Sequence, residues 1–376
     1  MRSRPKILSI IPYQVYPAQL GGEKGIAVFN KYLSEQADLV AITIRRNNPA
    51  LAPYPLHNVI SNSRSRYGNL LLYRTVRKYI NKYKPSHLLI EHPYFGWLAW
   101  MIKKTTRITW VVHSHNMEYQ RSKSIGRSWW KALKAYEAWV YRSADKVFFI
   151  SDDDREHAIT HLGMSREKSL TVTYGVEQNA IPGDLAACKN EIMQRHHIPD
   201  DTRILLFNGA LYHSTNYEAL QVILDSINPV LMQTPAYRYK ILVCGKGLPS
   251  FFNDLKDYSN SNVIYAGFVD NIDTYFKAAD VFLNPILAGG GVKTKAIEAL
   301  AMNCSVVSTP LGALGLKKEV CGNKLHVVEE GNWMEFAKEV MHLSSQLQQT
   351  PPEFFTYYAW PNIIGRVVSN LNNDIT

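Results

Sequence analysis

Between Leu287 and Leu316 the chain reads LAGGGVKTKAIEALAMNCSVVSTPLGALGL, residue types suited to holding a diphosphate and a sugar. Gly289, Gly290 and Gly291 let the backbone approach an anion closely. The N–H groups that open the following helix lack intrahelical partners and carry the positive end of its dipole. Lys293 and Lys295 add two cations there. The residues from Glu298 to Met302 have the spacing of a short amphipathic helix. Ser305-Val306-Val307-Ser308-Thr309 then reads as a strand ended by Pro310 and Gly312. A glycine loop alone is an ordinary helix-strand connection, and it is the two lysines and the glutamate at fixed offsets that give this one its chemistry.

The elements that must position such a loop are legible along the chain. With 376 residues, 46% of them hydrophobic, it can bury two ordinary cores, so two domains are expected. Ile7 to Pro12 is a short apolar strand, followed by a loop from Tyr13 to Gly25 and a helix near Ile26 to Gln36. Leu39–Ile44, His87–Ile90, Ile108–His113 and Lys146–Ile150 supply further strands, a spacing that favours a parallel sheet with helices on both faces. Ligands bind such sheets at the carboxyl ends of the strands, where Gly21-Gly22, Glu91-His92 and His113-Ser114-His115-Asn116 fall. A second series starts at Arg203: a strand to Asn208-Gly209, a helix over Asn216–Ile227, a strand over Tyr239–Cys244 ending in Gly245-Lys246-Gly247, then Val263–Val269 and Val281–Pro285.

Glu298-Ala299-Leu300-Ala301, the strand after it and its glycine turn resemble the retaining nucleotide-sugar glycosyltransferases of family 4 (glycosyl transferases group 1). The common pattern there has two glutamates separated by seven residues. Here Gly290 stands where the first would be, and GGGVKTK at 289–295 looks like the subset that carries GGG-x-[KR]-x-K instead. The resemblance runs from Ile7 to about Val367 and implies the α/β GT-B fold, two Rossmann-like domains with parallel sheets facing across a central cleft. The expected acceptor-side domain is 1–178, completed by a C-terminal helix over 355–376, and the expected donor-binding domain is 179–354. ADKVFFIS at 144–151 and VTYGV at 172–176 resemble the family's approach to the inter-domain hinge.

Residue by residue, the resemblance implies that Glu298 hydrogen-bonds the ribose hydroxyls, since a carboxylate accepts two such bonds at once. Gly21 and Gly22 match the glycine loop over the donor phosphates. Backbone around Phe268 and Val269 would meet the nucleobase, leaving uridine and guanosine both open. Gly209, Gly290, Gly291 and Val292 would also line the donor site. FNGALYHSTNYEAL lacks the Arg and Lys pair that other members set against the diphosphate, so Lys293, with Lys246 or Lys295 assisting, is the expected source of charge. His115 best matches the histidine that reaches the donor sugar, with His113 as the fallback. Glu118 either orients that loop, contacts the acceptor or pairs with Arg121 at the surface.

No cofactor or active-site metal is expected beyond the nucleotide-sugar donor. Asp152-Asp153-Asp154 reads as the acidic first turn of a helix capped by Ser151. Cys188, Cys244, Cys304 and Cys321 have neither metal-ligand nor disulfide spacing. The net charge of +10 asks for a partner, and no nucleic-acid module is present to supply one. From Arg121 to Arg142 basic residues, Lys131 and Lys134 among them, interleave with Trp129, Trp130 and Trp139. Such a mixture either meets anionic lipid or sets its tryptophans in the core and its lysines in solvent. No stretch approaches the roughly 20 apolar residues of a membrane span, and the first residues lead into a strand rather than a signal peptide. A cytoplasmic enzyme, peripheral on the inner face of the plasma membrane, is the expectation. Its acceptor would be a saccharide or lipid-linked saccharide in polysaccharide synthesis. Two rivals are a sugar-nucleotide epimerase of the same fold and a non-catalytic nucleotide-sugar-binding subunit.

Overall fold

The computed structural model describes residues 4–18, 21–258, 260–289, 291–346 and 348–373. The chain divides into two compact units, Met1–Gly175 with Trp360–Thr376, and Val176–Ala359. The first holds strands β1 (Lys6–Ile11), β2 (Asp38–Ile44), β3 (Leu56–Ile60), β4 (His87–Glu91), β5 (Thr109–Ser114), β6 (Lys146–Phe149) and β7 (Ser169–Thr171). They form one parallel sheet in the order β3-β2-β1-β4-β5-β6-β7. Its helices are α1 (Gly21–Gln36), α2 (Leu72–Tyr83), α3 (Gly96–Thr105), α4 (Glu118–Ser124), α5 (Trp130–Ser143) and α6 (Asp152–Leu162). The last is capped as expected, Ser151 Oγ accepting from the N–H of Asp154 at 3.1 Å.

The central strands read as apolar runs because both faces of the sheet are covered. Successive side chains point to opposite faces. Leu8, Ile10, Leu88, Ile90, Trp110 and Val112 pack with Val76, Leu98 and Val140 from α2, α3 and α5. Ile7, Leu89, Val111 and Phe148 pack on the other face with Ile26, Phe29 and Leu33 of α1.

The second unit repeats the plan with helix α7 (Leu185–Arg195), β8 (Arg203–Asn208), α8 (Ser214–Val222), α9 (Asn228–Met232), β9 (Tyr239–Cys244), β10 (Val263–Gly267), α10 (Ile272–Ala278), β11 (Val281–Asn284), α11 (Thr294–Ala301), β12 (Ser305–Ser308), α12 (Lys318–Cys321), β13 (Leu325–Val327), α13 (Trp333–Ser345) and α14 (Pro352–Tyr358). Its parallel sheet runs β10-β9-β8-β11-β12-β13. In both sheets the strand order reverses beside the first strand, between β1 and β4 and between β8 and β11. Neighbouring connections there leave in opposite directions and open a crevice at the carboxyl ends.

Three boundaries differ from the sequence expectation. Helix α1 starts at Gly21 and not near Ile26, so the glycine pair lies in its first turn. Helix α11 starts at Thr294, which puts Lys295 in a first turn instead of a loop. The stretch expected as one closing helix from 355 is two, α14 and α15 (Trp360–Asn372), because Ala359 between them is extended (ψ 131°) and Pro361 suits a helix start. Only α15 belongs to the first unit.

Candidate functional site

In the second unit the carboxyl ends of β8 and β11 open on a cavity of about 320 Å3, lined by Asn208, His213, Thr215, Asn216, Asn284, Gly289 and the residues from Val292 to Lys295 among others. Helix α8 begins beside it at Ser214 and α11 at Thr294. Two helix N-termini therefore lie at one cavity, with the N–H groups of Asn216 and Ala296 already donating to the His213 and Lys293 carbonyls. Lys295 Nζ donates to the Asn208 carbonyl at 2.8 Å, and Lys293 Nζ to the Gly289 carbonyl at 2.9 Å. Burial pushes the Lys295 pKa down to about 8, the Glu298 carboxylate only partly offsetting it, and Lys293 is lowered for the same reason. No Asp or Glu is among the lining residues, and Asn208 Oδ1 is buried without a hydrogen-bond partner. Two lysines lowered by burial thus stand beside two helix N-termini, an arrangement whose charge suits an anion.

Gly209 fits because a Cβ there would stand 2.9 Å from both Lys295 Nζ and the Asn216 side chain. Val292 lines the cavity and Gly291 precedes it in the left-handed region (φ 78°), while Gly290 lies outside the described residues. Glu298 sits half-buried on α11, one turn beyond Lys295. Lys246, Phe268 and Val269 are not in the cavity lining. They follow β9 and β10 on adjoining loops tied by Gly245 N–H to the Gly267 carbonyl at 2.7 Å, with Lys246 exposed and Phe268 70% exposed. His213, Thr215, Asn216 and Asn284 were not singled out from sequence. The signal for the first three was their place between a strand and a helix start, where His213 flanks the helix.

In the first unit, Glu91 ends β4 and pairs in register with His113 of β5. Both continue the parity of Leu89 and Val111, toward α1. Glu91 is fully buried, accepting from Asn30 Nδ2 of α1 at 2.8 Å on Oε1 and from His115 Nε2 at 2.7 Å on Oε2, with His113 Nδ1 3.0 Å from Oε2. Burial opposes its ionisation, but the two histidines outweigh it and hold the carboxyl well below the usual range. His113 is kept neutral, burial pushing its pKa to about 4. The His115 ring lies 4.1 Å from that of His113 and 4.7 Å from that of His92, centroid to centroid.

His92 holds φ at 66° and stands 3.2 Å from Glu118 through Nδ1. Glu118 is buried and joins the network under His92 as well as pairing with Arg121. Arg121, exposed, reaches it only at 3.8 Å. Glu137 of α5 accepts from the N–H groups of Glu118 and Tyr119 at 3.0 and 2.7 Å and so anchors the start of α4. Glu91, His113 and His115 each offer a ligand atom within 4.8 Å of the others, the one such grouping among the described residues. Both imidazole contacts, however, fall on the single oxygen Oε2 at 2.7 and 3.0 Å. Two ligands on a tetrahedral ion with bonds near 2.0 Å would stand about 3.3 Å apart. The 2.7 Å contact is a hydrogen bond from His115, and the 3.0 Å contact of His113 Nδ1 is an ion-pair distance.

The basic, tryptophan-rich stretch divides between its two readings. Trp130 and Trp139 pack against the first core, whereas Trp129 is 49% and Ile125 59% exposed. Arg127 lies over the Trp129 ring and Lys131 over Trp130, and Lys134 lies over Tyr119.

Comparison with known proteins bears on the fold and the family. Residues 21–179 match the family model described as Glycosyltransferase Family 4, and residues 202–346 the model described as Glycosyl transferases group 1. An uncharacterized 44.6 kDa protein in the cps region of Klebsiella pneumoniae is 26% identical over 150 residues, which are 38% of this chain and 37% of that protein's length. Sucrose-phosphate synthase of Thermosynechococcus elongatus superposes with TM-score 0.71 at 16% identity, covering 98% of this chain and 99% of that one. Alr3699/HepE of Anabaena, solved with UDP and glucose, superposes with TM-score 0.62 at 16% identity, covering 99% and 98%. The fold is thus GT-B, and with a family 4 domain followed by a group 1 domain the chain belongs to the family 4, group 1 glycosyltransferases.

Proposed function

We propose that this glycosyltransferase is a retaining hexosyltransferase, moving a hexose from a UDP- or GDP-sugar to a saccharide or lipid-linked saccharide in cell-surface polysaccharide synthesis. The observation that carries the reading is the meeting of two helix N-termini with Lys293 and Lys295 at a cavity whose lining holds no carboxylate. The leaving diphosphate gathers negative charge as the bond from the anomeric carbon to its phosphate oxygen breaks. Fixed N–H donors and ammonium groups therefore favour the transition state over the ground state. Glu298 takes the ribose hydroxyls, the N–H groups at Gly21 and Gly22 face the phosphates, and His115 contacts the transferred sugar. The acceptor oxygen attacks from the face the diphosphate leaves, and a phosphate oxygen takes its proton. This route uses no pair of close carboxylates of the glycosidase kind. The pathway assignment leans on the relative from a cps region, and the UDP complex of Alr3699/HepE favours uridine.

Calorimetric titration of UDP and GDP, beside ADP, tests the donor site. One nucleotide is expected to bind in the micromolar range and to lose at least about tenfold with Glu298→Ala, the size of one charge-assisted hydrogen bond. No binding by any of them would refute the assignment. Donor turnover is expected to continue in EDTA.

We further propose that the enzyme works peripherally on the cytoplasmic face of the membrane through Ile125 and Trp129, rimmed by Lys123, Arg127 and Lys131. Both apolar side chains are exposed, so Ile125→Ser with Trp129→Ser should leave the melting temperature nearly unchanged. Sedimentation with vesicles containing phosphatidylserine should fall several-fold, and raised salt should weaken it in the wild type.

A further inference from the structure

We infer that Glu91 is the positioning residue of His115, holding Nε2 by a hydrogen bond so that Nδ1 is the nitrogen offered to a substrate hydroxyl; the inference rests on the proposed contact of His115 with the transferred sugar. Nothing near His115 in sequence indicates this, because Glu91 lies on the neighbouring strand.

Three observations carry it. The Glu91–His115 bond is 2.7 Å, between a carboxylate that is 0% exposed and a ring whose side chain is 12% exposed. The second carboxylate oxygen is fixed by Asn30 Nδ2 at 2.8 Å, whose other N–H is held by the Ile26 carbonyl at 2.9 Å, so turning Glu91 to release the histidine costs a buried N–H its acceptor. The ring is also flanked by His113 and His92, tilted at 45° and 32° with centroids 4.1 and 4.7 Å away. His92 reaches that place with its backbone at φ 66° and its side chain against the buried Glu118. A non-glycine residue in that region is strained and persists where surrounding structure over-determines it. A carboxylate accepts but does not donate, so the proton between the two residues sits on Nε2 and the ring orientation is set. Nδ1 then lies outside the Glu91 bond, on the nitrogen through which a sugar hydroxyl can be engaged.

The test uses the full chain with 15N-labelled histidine and the variants Glu91→Gln, His115→Gln and both together. UDP-glucose and GDP-mannose serve as donor probes, and nucleotide release is read without an acceptor. Glu91→Gln puts an amide N–H₂ toward either Asn30 or His115. It is expected to lower kcat about 10- to 100-fold, the span of one charge-assisted hydrogen bond, with UDP or GDP affinity unchanged. The double variant is expected to turn over no more slowly than His115→Gln alone, which a merely structural role of Glu91 would not produce. The His115 Nε2–H correlation is expected to shift or vanish in Glu91→Gln. If that variant does not fold, Glu91→Asp, which keeps the charge and withdraws the oxygens, takes its place. Additive losses, or an unchanged His115 signal, overturn the inference. So does one equivalent of zinc per chain that disappears with Glu91→Gln. Should no nucleotide bind the wild type, the transferase reading fails separately, and the His115 correlation alone decides the role of Glu91.

Discussion

Lys295→Ala is expected to weaken nucleoside diphosphate binding about 100-fold. The side chain spans from α11 to the Asn208 carbonyl, within a cavity that holds no carboxylate. Its removal deletes a charge-assisted hydrogen bond to phosphate, worth about 1.5–3 kcal/mol, and leaves the Asn208 carbonyl without the donor it has. Lys246→Ala, exposed and outside the cavity lining, should have a much smaller effect. The pH dependence distinguishes this from a packing defect. Burial sets the free-enzyme Lys295 pKa near 8, and a diphosphate binds the ammonium form. Affinity is therefore full below that value and falls as pH rises through it, whereas Lys295→Ala should be flat over the same range. Stability moves the other way. Between about pH 8 and 10.5 the unfolded chain binds the proton that folded Lys295 has lost, so this group makes unfolding harder as pH rises across that window. Calorimetry from about pH 7 to 9.5 separates the two variants.

Trp360→Ala is expected to destabilise the first unit by about 3–5 kcal/mol, the usual cost of emptying a large buried aromatic site. Trp360 is 3% exposed, stacks on Tyr32 at 6.1 Å and meets Tyr174 edge-on at 5.8 Å. Its ring also occupies the space beside Gly175, where a Cβ would approach within 2.6 Å. With Ile363, Ile364, Val367 and Leu371 it forms the stripe by which α15 covers one face of the first sheet. Lys146 Nζ adds a tie to the Asn370 carbonyl at 2.5 Å. Differential scanning calorimetry should show the lowest transition falling by about 10 °C, since each kcal/mol shifts a domain of this size by about 2–4 °C. An unchanged thermogram would mean that α15 contributes little to the unit.

By itself the sequence determined the local physics. Apolar runs such as Ile7–Ile11 and Val281–Leu283 meant strands buried on both faces, and the glycine turns with helices between them meant parallel order. Lys293, Lys295 and Glu298 were legible because their spacing on one helix start is itself a short-range geometry. Helix starts were less so: the glycines at 21–22 and the stretch up to Lys295 read as loop, yet α1 begins at Gly21 and α11 at Thr294, with Lys293 its non-helical cap. The tertiary structure alone decided which residues meet across strands. Strand register set Glu91 against His113 and so under His115, 24 residues away in the chain. The reversal of strand order brought His213, Thr215 and Asn216 to the lysine loop. Local sequence encodes period and capping, whereas these meetings depend on pairings between distant segments, which are settled only when the sheets form and bury their faces.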